Sequence, residues 1–200
     1  MIEVNSISFV RGGHEIYKDF SYYLDMGEAV LLTGPNGSGK SSLIQLIGGL
    51  LKPHSGTIEI DGLRITSLSS QKQALLRSIA PQRRSFTLAF TVDQILNFLP
   101  RKMRIADSSY LIEQLGIQKI LNKKVTELSI GQQERVSLAL ALTQRANYYL
   151  LDEPFSAQDS ESTTKILELI SELKKEKGVL VISHNQDAIS TQFDRVISLV

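Results

Sequence analysis

The chain has 200 residues, of which 42% are hydrophobic and 22% charged, and this excludes a disordered chain and fits one globular domain. Its 22 basic and 21 acidic residues give a net charge of +1, which argues against a general nucleic-acid binder. Cysteine is absent, which excludes disulfides, thiolate zinc sites and cysteine nucleophiles.

No apolar run approaches the roughly 18 residues that a membrane-spanning helix needs. The first residues do not resemble a secretory signal, because they lack a basic segment followed by a long apolar one. If the protein works at a membrane, we expect another protein to hold it there.

The pattern of the first 33 residues predicts β-structure with a turn at Gly12 and Gly13. The continuous apolar run at 29–33 predicts a buried strand. A glycine-rich loop follows, and then a helix is predicted over about 40–50. The next elements are a turn at 52–56, a strand at 57–60 and a strand at 78–81.

The middle of the chain, about 83–144, is predicted to be mostly helical, with breaks at Pro100 and Gly116. Thr91 and Asp107 are the predicted N-caps. We expect a helical lobe inserted in a β-rich core.

The end of the chain predicts an α/β alternation: a strand at 148–151, a helix at 160–177, a strand at 179–183, a short helix and a strand at 195–200. Such an alternation predicts a largely parallel sheet with helices on its faces. One domain should therefore cover residues 1–200.

The glycine-rich loop matches the phosphate-binding pattern G-x-x-x-x-G-K-[ST], between a strand and a helix. The residues of the predicted ATP site are Gly34, Pro35, Asn36, Gly37, Ser38, Gly39, Lys40, Ser41 and Ser42. Glycines let backbone N–H groups turn toward phosphate oxygens, and the following helix adds the positive end of its dipole. Lys40 should reach the β and γ phosphates, and Ser41 should ligate Mg²⁺.

Two acids, Asp152 and Glu153, follow the apolar strand at 148–151. Ligands of open α/β sheets lie beyond the carboxyl ends of the strands, so Asp152 should lie beside the phosphate loop and hold Mg²⁺, directly or through water. Glu153 is placed to accept a proton from an attacking water. Taken alone, the pair also fits an ordinary helix-capping loop.

Ser129 and Gly131 stand just before a predicted helix at 132–144, where a hydroxyl and backbone N–H groups can form a second anion site. These thirteen residues, at about 1.5 Å each, place that site about 20 Å from the end of the helix that leads to the Asp152 strand. It should therefore serve a nucleotide on another protomer. The simpler alternative is that Ser129 is a plain N-cap.

Six landmarks in this order resemble the ATP-binding subunits of ABC transporters, over residues 2–200. They are the phosphate loop, Gln82, residues 128–132, residues 151–154, residues 156–159 and His184. The resemblance implies a P-loop ABC ATPase core with a largely parallel sheet, an antiparallel β subdomain at the N-terminus and the inserted helical lobe.

The resemblance also implies roles for individual residues. Gln82 would sense the γ-phosphate and Mg²⁺ and link the core to the helical lobe. The segment of Ser129, Gly131 and Gln132 would close on ATP bound by the opposite protomer. The other matched residues are Glu153 as the catalytic glutamate, Asp159 at the dimer interface and His184 against the γ-phosphate.

Two positions depart from the family pattern. Ile130 stands where the family usually has glycine, and a bulky side chain there can change how tightly the segment closes. Arg11 stands where the family commonly has an aromatic residue that stacks on adenine. A guanidinium can also stack on a base, so Arg11 is included in the predicted ATP site. The alternative is a solvated hairpin residue.

Local details are similar to the ATPase subunit of the cytochrome c maturation haem exporter. They lie at 11–13, 31–43, 131–136 and 152–155. Other short bacterial exporter ATPases fit too. Two further alternatives are a non-transport ABC ATPase acting on nucleic acid or ribosomes, and a small-molecule kinase built on a phosphate loop.

The resemblance implies ATP and Mg²⁺ as cofactors and integral membrane permease subunits as partners. A second ATPase, identical or homologous, would complete an ATP-dependent homodimer or heterodimer, and no nucleic acid is expected. We expect a peripheral protein at the cytoplasmic face of the inner or plasma membrane.

Overall fold

The structure, a computed structural model, describes residues 1–82, 86, 89–105, 107–184 and 189–199. Its strands are β1 (Ile2–Arg11), β2 (His14–Leu24), β3 (Ala29–Thr33), β4 (Ser55–Ile60), β5 (Leu63–Arg64), β6 (Arg77–Ala80), β7 (Tyr148–Asp152), β8 (Gly178–Ile182) and β9 (Arg195–Ser198). Its α-helices are α1 (Lys40–Ile47), α2 (Ser70–Leu76), α3 (Val92–Leu96), α4 (Ser109–Gln114), α5 (Ile130–Thr143) and α6 (Ser160–Leu173).

The N-terminal strands form an antiparallel sheet in the order β2-β1-β4-β5. The β1–β2 hairpin turns at Gly12 and Gly13, which have φ angles of 58° and 81° that glycine adopts without strain. The sheet buries side chains of β1 such as Ile2, Val4 and Ile7. The expected antiparallel β subdomain is therefore confirmed.

The second sheet is parallel, in the order β6-β7-β8-β3-β9. Strands β3, β7 and β8 are buried at every position, because both faces of the sheet are covered. Leu31 faces the cluster that contains α5 and α6, while Val30 and Leu32 face α1 and the antiparallel sheet. The carboxyl ends of β3, β7 and β8 consequently share one edge.

Several helix boundaries differ from the sequence prediction. Helix α1 ends at Ile47, earlier than expected, because Gly49 takes a left-handed φ of 69°. Helix α6 ends at Leu173 rather than at 177. Helix α2 was not predicted, since none of its residues is buried and it shows no apolar stripe.

The middle region is less helical than predicted. Between α3, α4 and α5 the chain forms short 3-10 turns at 101–103, 118–120 and 125–127. Thr91 is confirmed as an N-cap that forms a capping box with Gln94. The prediction for Asp107 is wrong: the N-cap is Ser108, and Asp107 Oδ1 instead accepts a hydrogen bond from the Ser109 N–H at 2.8 Å.

Some predicted elements lie partly outside the described residues. These are the start of the helical lobe at 83–85 and 87–88, residue 106, residues 185–188 in the predicted short helix, and residue 200. Before β9 the structure has a 3-10 turn, Ser190–Gln192. None of the helices in the described ranges is long and apolar enough to cross a bilayer.

Asp194 ties the start of β3 to the segment that follows α6. Its Oδ2 accepts a hydrogen bond from the Ala29 N–H at 2.8 Å, and its Oδ1 lies 2.9 Å from Lys174 Nζ. Burial raises the pKa of Asp194, but the Ala29 N–H and the Lys174 ammonium outweigh it, so the pKa lies below its ordinary value. The charged carboxylate therefore stabilises the fold.

We expect Asp194→Ala to lower the free energy of unfolding at neutral pH by about 1 kcal/mol. Because the pKa is depressed in the folded state, this contribution is complete above about pH 3.9 and is lost as the pH falls through the folded-state pKa. Urea unfolding at neutral pH and at about pH 2 measures the difference. Exposed Glu176 provides the control variant Glu176→Ala, and a loss of equal size at both pH values would contradict the prediction.

Candidate functional site

A cavity of about 500 Å³ opens at the carboxyl edge of the parallel sheet. Among the residues predicted for the site, those that line it are Arg11, Asn36, Gly37, Gly39, Lys40, Ser41, Ser42, Gln82, Asp152, Glu153 and His184. Residues from β1, the phosphate loop, α1 and the ends of β6, β7 and β8 thus meet at one place. The topology explains this, because parallel strands present their carboxyl ends together.

The phosphate loop is held in shape by glycines and by β2. Gly34, Gly37 and Gly39 have φ angles of 140°, 87° and 98°, which side chains rarely allow. A Cβ at Gly39 would come within 2.5 Å of the Ile16 side chain, and the Tyr17 hydroxyl donates a hydrogen bond to the Gly39 carbonyl at 2.9 Å. The start of α1 has no side-chain cap, which leaves its N-terminus open to an anion.

Lys40 is 6% exposed and lies across the loop. Its Nζ donates hydrogen bonds to the carbonyls of Gly34 and Pro35, both at 2.8 Å. Burial lowers the pKa of Lys40, while the carboxylates of Glu153 and Asp152 oppose that shift. Gly34 and Pro35 do not line the cavity, and their carbonyls contact Lys40 instead. Ser38, whose side chain is buried in the loop, lies 2.9 Å from a Cβ built at Gly34.

Asp152 ends β7 next to Ser41, whose side chain hydrogen-bonds to the carboxylate. Burial raises the pKa of Asp152, and the Ser41 hydroxyl, Lys40 and His184 partly oppose this. Its Oδ1 is buried and has no hydrogen-bond partner among the described residues. Buried carboxylate oxygens are normally satisfied, so this atom is suited to an additional ligand.

The donor set around Asp152 fits Mg²⁺. Ser41, Gln82 and Asp152 supply a hydroxyl, an amide and a carboxylate to one cavity, and hard oxygen donors are what Mg²⁺ prefers. In the described part of the chain no cluster of three or more His, Cys, Asp or Glu residues is suited to a metal. One carboxylate suffices where phosphate oxygens complete the Mg²⁺ shell.

Glu153 follows β7 in a left-handed backbone conformation with φ 55°, which costs about 1 kcal/mol for a residue with a side chain. Its Oε1 lies 3.1 Å from His184 Nε2, at the end of β8. Burial raises the pKa of Glu153, and the neighbouring His184 opposes this shift. The turn thus directs a carboxylate of increased basicity into the cavity beside Lys40 and Gln82.

Arg11, His14 and Ile16 form the side of the cavity next to the hairpin. Arg11 Nη1 donates to Ser42 Oγ at 3.3 Å, so the guanidinium is attached to α1. His14 and Ile16 are not among the residues predicted for the site, although both line the cavity. The pairing of Arg11 with His14 across the Gly12–Gly13 turn is the signal that could have found His14.

The predicted second anion site lies at the start of α5, and its residues do not line the cavity described above. Ser129 is the N-cap: its Oγ accepts from the Gln132 N–H at 3.3 Å, and Gln132 Oε1 accepts from the Ser129 N–H at 3.1 Å. The N-cap alternative is therefore confirmed as the structural role of Ser129. Helix α5 has 14 residues and is about 21 Å long.

The segment 156–159 contacts the start of α5 within the same chain, which the sequence does not predict. Ser156 Oγ donates to Glu134 Oε1 at 3.2 Å, and Gln158 Nε2 donates to the Gly131 carbonyl at 3.5 Å. Gly131 itself is closely packed, since a Cβ there would lie 3.0 Å from the carbonyl oxygen of residue 157. No local sequence pattern predicts such hydrogen bonds between distant residues.

Asp159 and Ile130 have well-defined positions at the starts of α6 and α5. Asp159 is the N-cap of α6, and its Oδ1 accepts from the Ser162 N–H at 2.8 Å. That hydrogen bond lowers the pKa of Asp159. Ile130 is 73% exposed at the start of α5, and it lines a second cavity of about 450 Å³ together with Gln82 and Glu153.

Comparison with known proteins agrees with this geometry. A family model described as ABC transporter matches residues 17–156. The chain is 33% identical to a hemin import ATP-binding protein of Bordetella avium, over 99% of this chain and 82% of the relative. It is 32% identical to a macrolide export ATP-binding/permease protein of Campylobacter jejuni, over 100% of this chain and 33% of the relative. A dimeric ATP-binding cassette bound to ADP and Pi in a post-hydrolysis state superposes with a TM-score of 0.84, at 26% identity over 100% of this chain and 94% of that chain.

Proposed function

The chain belongs to the ABC transporter family, and from this we propose that it is the ATP-hydrolysing subunit that powers a membrane transporter, with its reaction in the Lys40 cavity. Cassettes of this family hydrolyse ATP, dimerise and pair with membrane permease subunits. The observation that carries the assignment of the site is the meeting of the phosphate loop with Asp152, Glu153 and His184 in one cavity.

Hydrolysis requires that water attack the γ-phosphorus while the bond to the β–γ bridging oxygen breaks, which yields ADP and inorganic phosphate. Glu153 accepts the proton of the attacking water, and its raised pKa makes it a better base for this step. His184 and Lys40 stabilise negative charge on the γ-phosphate. Ser41, Gln82 and Asp152 would hold Mg²⁺, which would supply positive charge to the phosphate oxygens.

Binding of ATP would rearrange two contacts within the site. Lys40 Nζ exchanges its hydrogen bonds to the loop carbonyls for phosphate oxygens. The contact between His184 and Glu153 loosens so that water can approach the carboxylate and His184 can approach the γ-phosphate. In both changes Lys40 and His184 exchange a partner within the protein for phosphate oxygens.

Besides the phosphate loop, a segment of another protomer contacts the phosphates of the bound ATP. We propose that Ser129, Gly131 and Gln132 approach ATP held by the partner cassette, with Gln82 linking the cavity to the helical lobe and Asp159 at the interface. The observation that supports a role in trans is that none of these three residues lines the cavity that contains Lys40, although the start of α5 lies near Asp152 and Glu153 in the fold.

Paired variants of Ser129 separate its structural role from this proposed one. Ser129→Asp keeps an N-cap and should unfold like the wild type, whereas Ser129→Ala should lose about 1 kcal/mol of stability. The new carboxylate faces a partner's phosphates, so Ser129→Asp should lose ATP-dependent dimerisation and at least about tenfold in hydrolysis. Chromatography with ATP and steady-state kinetics measure this. Normal dimerisation by Ser129→Asp would contradict the role in trans.

Membership of the family does not identify the transported substrate. One relative is named for hemin import and another for macrolide export. The similarity therefore supports a role in transport, but it does not distinguish import from export. Export of haem for cytochrome c biogenesis stays a prediction that rests on the local similarities at 31–43 and 152–155. We place the chain at the cytoplasmic face of the inner or plasma membrane, since ATP is available there and the permease would hold it.

A pull-down of the tagged chain from detergent-solubilised native membranes tests this function. Multi-spanning subunits should co-purify and raise ATP turnover, and haem absorbance in the eluate would support haem transport. Co-purification of a different permease would retain the ATPase function and remove the haem prediction. Recovery of ribosomal proteins alone would contradict the transport function, and phosphate transfer to an acceptor other than water would indicate a kinase.

A further inference from the structure

A separate cavity of about 570 Å³ lies between the end of α3 and the end of α5. Three arginines line it, Arg101, Arg104 and Arg145, and it shares no lining residue with the nucleotide cavity. Its volume is somewhat larger than that of the nucleotide cavity and falls within the range of about 300–1,000 Å³ typical of ligand sites. The cavity therefore has the size of a site for a small organic ligand.

The backbone that carries the arginines is fixed by pairing. Arg104 forms an antiparallel bridge with Gln144, and the Arg145 N–H donates to the Met103 carbonyl at 2.8 Å. The Ile105 N–H donates to the carbonyl of residue 143 at 2.9 Å. Arg101 belongs to the 3-10 turn that immediately precedes this pairing. The three arginines thus line the cavity from a junction at which the backbones of two chain segments are hydrogen-bonded to each other.

The positive charge at this junction is not balanced within the described residues. None of the three arginines forms a salt bridge there, and the one acid that lines the cavity is Asp107, whose carboxylate accepts the Ser109 N–H. Arg104 donates through Nη1 to Asn97 and to the Leu96 carbonyl, but in the described structure its Nε is buried without a hydrogen-bond partner. A buried cationic donor without an acceptor is costly.

We propose that this cavity binds a phosphate-bearing anion, either a soluble phosphate monoester or the headgroup of an anionic lipid. A phosphate group supplies several oxygen acceptors, which can satisfy Arg104 and bridge to Arg101 and Arg145. The guanidinium fork matches phosphate geometry in a bidentate way, which a lysine cluster would not. The site is independent of the ATPase reaction, since it lies outside the nucleotide cavity.

Titration calorimetry with glycerol 3-phosphate, in the presence of saturating Mg²⁺ and ADP to fill the nucleotide cavity, tests the soluble source. Sedimentation with phosphatidylcholine vesicles, with and without phosphatidylglycerol, tests the lipid source. The variant is Arg101→Gln/Arg145→Gln, because both side chains are exposed and the fold should tolerate the change. The matched control is Lys102→Gln/Lys119→Gln, which removes two exposed charges that do not line the cavity.

We expect the wild type to bind one of the two probes, and the arginine variant to bind it at least about tenfold more weakly. The lysine variant should stay within about threefold of the wild type, and melting temperature and ATP turnover should be unchanged in both variants. Binding of glycerol 3-phosphate identifies a soluble monoester, and binding of phosphatidylglycerol vesicles alone identifies a lipid headgroup. Binding of neither probe, or equal losses in the two variants, would overturn the proposal.

Discussion

Lys40→Ala is expected to reduce nucleotide affinity and kcat/KM by at least about 100-fold. Lys40 Nζ donates hydrogen bonds to the carbonyls of Gly34 and Pro35 in the phosphate loop. A bound triphosphate would draw this ammonium to its β and γ oxygens. Without it, a buried anion would lack its compensating charge, while the carboxylates of Asp152 and Glu153 would still repel it.

Binding of a fluorescent ATP analogue and steady-state hydrolysis measure this effect. Lys165→Ala is the matched control, because Lys165 is an exposed lysine that pairs with Glu161 on α6. It should bind and hydrolyse ATP like the wild type. Urea unfolding of the Lys40 variant distinguishes loss of the site from loss of the fold. Unchanged affinity in a folded Lys40→Ala protein would contradict the role of the phosphate loop.

The sequence predicted the parallel sheet well, because its central strands are continuous apolar runs. Strands β3, β7 and β8 were expected within about one residue of their observed limits. The phosphate loop was also predictable, since its pattern is local and its glycines fix the backbone. Both signals depend on neighbours in the chain rather than on tertiary contacts.

The parts that the sequence did not predict depend on contacts between distant residues or on weak local patterns. Helix α2 buries none of its residues, and the middle region contains 3-10 turns that no hydrophobic period marks. The Ser156–Glu134 hydrogen bond and the position of Ile16 against Gly39 join residues more than 20 positions apart. Such pairs follow from the fold and have no separate sequence signal.

Glu153→Gln is expected to retain ATP binding and to lower kcat by about 10²–10⁴-fold. The amide has nearly the size of the carboxyl, so the left-handed turn at residue 153 and the packing around it are preserved. Its carbonyl oxygen can still accept the hydrogen bond that the carboxylate receives from the His184 backbone N–H. The variant therefore removes the base and little else.

The same substitution has an expected effect on stability that separates chemistry from damage. Burial raises the pKa of Glu153, so ionising this carboxyl near neutral pH destabilises the folded state, and a neutral amide should unfold no more easily than the wild type. Exposed Glu161 gives the control Glu161→Gln, which should turn over ATP normally. The defect of Glu153→Gln would lie in proton acceptance if the variant hydrolyses ATP slowly but keeps wild-type stability and tight ATP binding. An ATP-bound dimer should then accumulate. Unchanged turnover by Glu153→Gln would assign that step to another group of the cavity, for which His184 is the nearest candidate.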